Sequence, residues 1–171
     1  MDAAIFIALG IMPALVIVGG LHDLLTMKIP NWISLALVML FFPAALLAGL
    51  SPAALAIHVG VGLAALFAGM GMFALRWIGG GDAKLMAATC LWLGLSGSGM
   101  FLLWTGVVGG AFCLFLMMAR QHLQMVTPFA PGWVTRLLEP KGDIPYGVAI
   151  AIGALLAFPG ADLMQAFALT Q

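Results

Sequence analysis

Residues 53–75 read AALAIHVGVGLAALFAGMGMFAL, an apolar run in which His58 is the one strongly polar side chain. A transmembrane helix needs about 20 mainly apolar residues, so this run predicts one. Five further apolar runs, of which the third is shorter, extend from Ala3 to Thr26, Trp32 to Leu50, Ala83 to Leu95, Met100 to Ala119 and Pro145 to Leu169. The sequence therefore predicts an all-α polytopic membrane protein, a six-transmembrane-helix bundle that forms a single membrane-embedded domain over residues 1–171.

The composition excludes several other classes of protein. Apolar residues make up 64% of the 171 residues and charged residues 7%, whereas a soluble domain is about half apolar and a quarter charged. Six Lys and Arg balance six Asp and Glu, which leaves no basic patch for a nucleic acid. Cys90 and Cys113 form no CxxC pair and the three His are scattered, so we expect no metal site and no cofactor.

The basic residues set the predicted topology. With six spans, every Lys and Arg falls in, or at the edge of, the loops on one side of the membrane: Lys28, Arg76, Lys84, Arg120, Arg136 and Lys141. The positive-inside rule places that side in the cytoplasm. The sequence thus predicts a multi-pass protein in contact with membrane lipid, with both termini outside.

Two acidic residues carry the candidate chemistry. Asp23 lies about one turn inside the cytoplasmic end of the first predicted helix, because Pro30 disfavours a helical conformation at Ile29. Asp82 follows three glycines and opens the fourth predicted helix. Both carboxylates therefore reach the same membrane face, where acidic groups are costly and indicate function.

Two carboxylates that lie close together cannot both ionise, so they share one proton. The ionised partner can then take a proton from water while the protonated partner donates to a peptide carbonyl, as in aspartic proteases. Asp82 lies at a helix N-terminus, which favours a negative charge, and Asp23 near a helix C-terminus, which disfavours it. We therefore predict that Asp23 holds the proton and that the glycines before Asp82 leave room for an extended substrate.

The same residues allow other interpretations. Asp23 could pair with Lys28, and Asp82 could cap its helix. Paired intramembrane acids also form proton or cation relays, so a small membrane transporter is the alternative function, and a proteolytically inert assembly factor is a third. Transporters often contain repeats with broken helices, and this sequence shows no clear repeat.

Three blocks of the sequence resemble the bacterial type IV prepilin peptidases, which are GxGD-type aspartic proteases of the membrane. The first is Asp23 with Lys28-Ile29-Pro30-Asn31, similar to the family's Asp followed by an Ile-Pro-Asn turn. The second is Gly79-Gly80-Gly81-Asp82 with Lys84, the GxGD signature. The third is Ile144-Pro145-Tyr146-Gly147, similar to the Pro-aromatic-Gly opening of the last helix. The blocks contain all the candidate site residues: Asp23, Lys28, Pro30, Asn31, Gly79, Gly80, Gly81, Asp82, Lys84, Pro145, Tyr146 and Gly147.

The resemblance implies an aspartic endopeptidase with Asp23 and Asp82 as the catalytic pair and with Gly79 and Gly81 shaping the loop. Its substrate would be a prepilin or pseudopilin, whose basic leader is cut from an apolar helix at the cytoplasmic membrane border during pilus biogenesis or protein secretion. Larger family members also carry a zinc-binding cytoplasmic domain with paired CxxC motifs, and they methylate the new N-terminus. This sequence lacks those motifs and resembles the short peptidases of tight-adherence (Flp) pilus systems in the inner membrane. We therefore expect cleavage without N-methylation and no separate methyltransferase or zinc domain.

The roles of the other candidates stay open. Lys84 either tunes Asp82 or extends to the lipid headgroups. Pro145-Tyr146-Gly147 either lines the substrate path or simply starts a helix, since Pro suits the first helical turn. Glu139 and Asp143 either attract the basic leader or lie in a solvated loop. The two aspartates could also stand apart until substrate draws them together.

Overall fold

The computed structural model describes residues 2–123, 130–140 and 142–169, with side chains described for 9–123, 130–140 and 142–166. These ranges contain helices and no strand, which confirms the all-α class for this part of the chain. The helices are α1 (Asp2–Thr26), α2 (Asn31–Leu47), α3 (Pro52–Ala74), α4 (Gly80–His122), α5 (Gly132–Leu137), α6 (Tyr146–Ala157) and α7 (Asp162–Leu169). A 3-10 turn, Phe158–Gly160, joins α6 to α7.

Among the described residues, four stretches are long and apolar enough to cross a membrane: Leu9–Thr26, Pro52–Ala74, Gly80–His122 and Tyr146–Ala166. At 17 residues, α2 is shorter than these. Large apolar side chains face outward, with Leu46 70% and Phe67 66% exposed, as expected for a surface that contacts lipid rather than water. The structure therefore supports a membrane protein, while the exact number of six spans stays a prediction.

The helix α4 is 43 residues long and is broken at Gly94, where φ is 69° and ψ is −166°. Residues other than glycine are strained in that conformation. A straight helix of this length would measure about 65 Å, about twice the thickness of the hydrocarbon core. We call the segments on either side of the break α4a (80–93) and α4b (95–122). They correspond to the two runs that the sequence predicts as the fourth and fifth spans, except that the last two residues of the fourth run, Gly94 and Leu95, lie at and after the break.

Two details of the predicted helices are wrong. The gap between the fourth and fifth predicted runs, Ser96-Gly97-Ser98-Gly99, is expected to be a connection, but these residues are helical. The Ser98 hydroxyl donates a 2.6 Å hydrogen bond to the Gly94 carbonyl oxygen one turn before it. The last predicted span is not one helix but is interrupted at Phe158–Gly160. Pro159 explains the interruption, since it lacks the N–H that a continuous helix would use.

Two pairs of helices are in close contact at glycine residues. In the first pair, α1 approaches α6 so closely that a Cβ on Gly20 would lie 3.0 Å from the Gly147 carbonyl oxygen. In the second, α3 approaches α4a so closely that a Cβ on Gly69 would lie 3.0 Å from the Cβ of Ala83. Small residues let helix backbones pack this tightly in lipid. The two candidate catalytic residues lie on these pairs, one on each.

Candidate active site

Asp23 lies in the last turn of α1 and is 6% exposed. The helix ends at Thr26, and Met27 takes a left-handed φ of 57° while its N–H donates to the Asp23 carbonyl oxygen at 2.7 Å. Oδ2 of Asp23 accepts a 2.8 Å hydrogen bond from the Gly147 N–H. That N–H belongs to the first turn of α6 and has no partner within its own helix. The end of α1 therefore presents Asp23 to the start of α6.

This contact adds a second helix terminus to the surroundings of Asp23. A helix N-terminus favours a negative charge, so the start of α6 opposes the unfavourable effect of the C-terminal end of α1 on a negatively charged Asp23. The sequence argument considered only the end of α1 for this residue. The assignment of the shared proton to Asp23 stays a prediction. The alternative ion pair with Lys28 is absent from the described residues, where the side chain of Asp23 is bonded to Gly147 instead.

Asp82 occupies the third position of α4 and accepts a 3.1 Å hydrogen bond at Oδ2 from the Gly79 N–H. The bond satisfies one of the donors that every helix start leaves without an intrahelical partner. Asp82 is therefore not the N-cap of α4, which is Gly79, but it helps to cap the helix from its third position. This bond occupies Oδ2 alone, so it is compatible with chemistry at Oδ1.

Both carboxylates line one cavity of about 490 Å³, a volume typical of ligand sites. The rest of the lining comes from the end of α1, from the chain between α3 and α4, and from the segment before α6: Met27, Phe73, Arg76, Trp77, Ile78, Gly79, Asp143, Ile144, Pro145 and Tyr146. Asp82 lies within Coulombic range of Asp23. Each carboxylate accepts a hydrogen bond from a backbone N–H, and the two carboxylates are not hydrogen-bonded to each other in the described part of the chain.

Some of the candidate residues reach this cavity and others do not. Gly79, Pro145 and Tyr146 line it. Lys84 does not, because its Nζ donates a 2.9 Å hydrogen bond to Oδ1 of Asn31. Lys84 and Asn31 both line a separate, largely apolar cavity of about 480 Å³ between α2, α3 and α4a. Lys84 therefore joins the second sequence block to the first rather than contacting Asp82.

The remaining candidates shape the backbone around Asp82. A Cβ on Gly81 would lie 3.1 Å from the Cβ of Ile29, so the glycine lets the start of α4 pack against the turn after α1. Pro30 in that turn is the N-cap of α2, and the Lys28 carbonyl oxygen lies 2.7 Å from a ring nitrogen of His22. The Gly80 backbone lies against an aromatic ring of α3. None of these candidates lines the cavity that contains Asp23 and Asp82.

Several cavity residues were not among the candidates: Met27, Phe73, Arg76, Trp77, Ile78 and Ile144. Arg76 has a left-handed φ of 60°, which turns the chain from α3 toward Gly79. An Arg-Trp pair one residue before a glycine run is the signal in the sequence that points to this turn. The sequence left two roles open for Glu139 and Asp143. Asp143 lines the cavity, whereas Glu139 does not.

The two carboxylates in this cavity are suited to acid–base catalysis. Two carboxyl groups facing one space can share a proton and act as acid and base on water and a peptide bond. In the part of the chain that the structure describes, no three His, Cys, Asp or Glu side chains come together as a metal-binding group.

Comparison with known proteins identifies the family of the chain. The profile of the type IV leader peptidase family matches residues 10–114, more than half of the chain. The match includes Asp23 and Asp82 and ends before Tyr146. No curated protein and no solved structure matches the chain. The protein therefore belongs to the type IV leader peptidase family, and it is a membrane peptidase for substrates of the prepilin type.

Proposed function

We propose that this protein is an aspartic endopeptidase that cuts the basic leader from prepilins or pseudopilins at the cytoplasmic membrane border, without methylating the new N-terminus. The observation that carries the proposal is the cavity that Asp23 and Asp82 share. Family membership supports peptidase chemistry, and the carboxylate pair supports the aspartic mechanism. The lack of CxxC motifs supports the short, non-methylating form of tight-adherence systems.

In the proposed mechanism, one aspartate acts as base and the other as acid. The base takes a proton from water, the water oxygen bonds to the peptide carbonyl carbon, and the protonated partner donates to the carbonyl oxygen. The first aspartate then gives its proton to the leaving nitrogen while the partner takes one back from the tetrahedral intermediate, and the C–N bond breaks. Backbone N–H groups hold Oδ2 of each aspartate, which leaves Oδ1 of each for these proton transfers.

Basic residues around the cavity support its placement at the cytoplasmic face. Arg76 lines the cavity, and Arg136 on α5 donates a 3.2 Å hydrogen bond to the Leu25 carbonyl oxygen at the end of α1. Arg120 lies in the last turn of α4. Since arginine and lysine favour the cytoplasmic side, we place the protein in the bacterial inner membrane as a multi-pass protein, with the active site facing the cytoplasm and both termini outside.

The wild-type protein, purified in detergent, should cleave a tight-adherence prepilin and leave an unmethylated N-terminus. Mass spectrometry of the product identifies the cut, and its mass should be the same with and without an added methyl donor. Failure of correctly folded protein to cut any of several such prepilins would contradict the proposal. In that case proton flux into liposomes containing the protein would test the relay alternative.

Replacing Asp143 by asparagine should raise KM for a prepilin by about two- to fivefold and leave kcat nearly unchanged. Asp143 is exposed and lines the cavity, so its charge would attract the basic leader without taking part in proton transfer. Exposed ion pairs contribute about 0.2–1 kcal/mol, which corresponds to a change of this size. Initial cleavage rates measured over a range of prepilin concentrations give both constants.

Glu139→Gln is the matched control for Asp143→Asn, because it removes the same charge from an exposed residue outside the cavity. The Asp143 effect should shrink as salt rises, since salt screens charges at a solvated surface. Equal KM values for the two variants would show that Asp143 is simply part of a solvated loop.

A further inference from the structure

The largely apolar cavity between α2, α3 and α4a lies apart from the cavity of the two aspartates, and we call it the lateral groove. The two cavities share no lining residue. Two close contacts separate them: a Cβ on Gly69 would lie 3.0 Å from the Cβ of Ala83, and a Cβ on Gly81 would lie 3.1 Å from the Cβ of Ile29. The lateral groove is therefore not a continuation of the space in which the peptide bond would be cut.

The lateral groove is long and narrow. Its wall on α2 consists of five residues on one face of the helix: Asn31, Ser34, Leu35, Val38 and Phe42. At 1.5 Å per residue this face is about 16 Å long, so the volume of about 480 Å³ corresponds to a channel about 6 Å wide. A helix with its side chains is about 10 Å wide, whereas non-bonded carbon atoms approach to about 4 Å. The lateral groove therefore fits a single hydrocarbon chain and is too narrow for a helix.

Polar side chains lie at one end of the lateral groove only. Asn31 is the first residue of α2, and Lys84 lies near the start of α4, two residues after Asp82. Ser34 lies one turn farther along α2, and the other lining residues are apolar. The polar end is thus at the same end of the helix bundle as the two aspartates. An occupant that matches this lining combines a polar group with a long apolar chain, as membrane lipids do.

Lys84 gives the polar end a positive charge. Its Nζ donates a 2.9 Å hydrogen bond to Oδ1 of Asn31, which is neutral, and no carboxylate pairs with it within the described ranges. An ammonium group has three donors, so two remain for the oxygens of a phosphate. Ser34 is 7% exposed, and its hydroxyl makes no hydrogen bond to any described residue. A hydroxyl placed beyond the phosphate can donate to a lipid ester carbonyl.

We propose that the lateral groove binds one acyl chain of an anionic phospholipid, whose phosphate contacts Lys84 and whose ester carbonyl accepts from Ser34. The apolar faces of α2, α3 and α4a cover the chain. Packing contacts hold membrane helices together, so a chain that fills this space stabilises the arrangement of the three helices. The positive charge of Lys84 selects a lipid with a net negative headgroup.

The test is native mass spectrometry of the purified, delipidated protein with two added lipids that have the same acyl chains. Phosphatidylglycerol is anionic, and phosphatidylcholine has no net charge. Wild-type protein should retain one phosphatidylglycerol with about fivefold preference, which is the effect of one lysine on an anionic lipid. Lys84→Gln keeps a donor for Asn31 but removes the charge, so the preference should disappear. Equal retention of the two lipids by the wild type, or an unchanged preference in Lys84→Gln, would overturn the proposal.

Matched variants make the result specific to the lateral groove. Arg76→Gln removes a positive charge from an exposed residue outside the lateral groove, so it should keep the wild-type preference. Ala87→Phe places a ring inside the lateral groove and should abolish retention of both lipids, whereas Val107→Phe, on the exposed face of α4b, should not. If Ala87→Phe does not fold, Lys84→Gln and Arg76→Gln still decide the test. Release of the bound lipid by an added prepilin would assign the lateral groove to the substrate and contradict the proposal.

Discussion

Replacing either Asp23 or Asp82 by asparagine should abolish leader cleavage while the protein keeps its fold. Asparagine has nearly the same shape as aspartate, and its carbonyl oxygen can still accept the N–H of Gly147 or of Gly79. It cannot take or give a proton at neutral pH. General acid–base catalysis contributes about 10²- to 10⁴-fold, so each variant should lose at least about 10²-fold in kcat/KM.

The pair should also behave as one unit. Residues that act together in a single step show strongly non-additive losses, so the variant carrying both Asp23→Asn and Asp82→Asn should be about as slow as either single variant. The measurement is cleavage of a prepilin by purified protein, with helical content compared by circular dichroism. Glu139→Gln, an exposed carboxylate outside the cavity, is the control and should cleave normally. Cleavage at a near wild-type rate in either aspartate variant would remove that residue from the catalytic pair.

The long apolar runs made the helices predictable, but the break in α4 was not predictable from the sequence. A long apolar run in lipid must satisfy its backbone hydrogen bonds internally, which leaves a helix as the simplest solution. For this reason α1 and α3 begin and end within one residue of the predicted runs. Residues 96–99 have the composition of a loop, yet the break occurs at Gly94, where φ is 69°. The positions of His58 and Asp162 against Gly94 are tertiary contacts, which the local sequence does not show.

The two carboxylates of the candidate site were predictable from the sequence, but the hydrogen bonds between distant residues around them were not. The charge pattern places Asp23 and Asp82 at one membrane face, and the structure places them in one cavity. The bond from Gly147 to Asp23 joins residues 124 positions apart, and the bond from Lys84 to Asn31 joins residues 53 positions apart. Such pairings depend on how the helices pack, so the sequence left the role of Lys84 open and omitted the helix terminus beside Asp23.

The bond between Gly147 and Asp23 leads to the second prediction of large effect: Gly147→Ala should reduce kcat/KM for a prepilin by about 10²-fold. A Cβ on Gly147 would lie 2.8 Å from the Cβ of Asp23 and 2.9 Å from its Oδ2. Shifting α1 along α6 to relieve this clash would also be unfavourable, because the two helices are already in close contact. A Cβ on Gly20 would lie 3.0 Å from the Gly147 carbonyl oxygen. The methyl group must therefore displace the Asp23 carboxylate. Displacing a catalytic group by about 1 Å typically costs about 10²-fold.

The control for Gly147→Ala is Gly106→Ala, the same substitution at a helical glycine where a Cβ would meet no atom within 4 Å. Alanine also stabilises a helix interior relative to glycine by about 1 kcal/mol, so this variant should cleave normally and unfold at the same or a higher temperature. Comparing thermal unfolding of the two variants separates loss of fold from loss of position. If folded Gly147→Ala protein cleaves within about twofold of the wild-type rate, Asp23 does not need its place against α6, and the close contact between α1 and α6 serves packing alone.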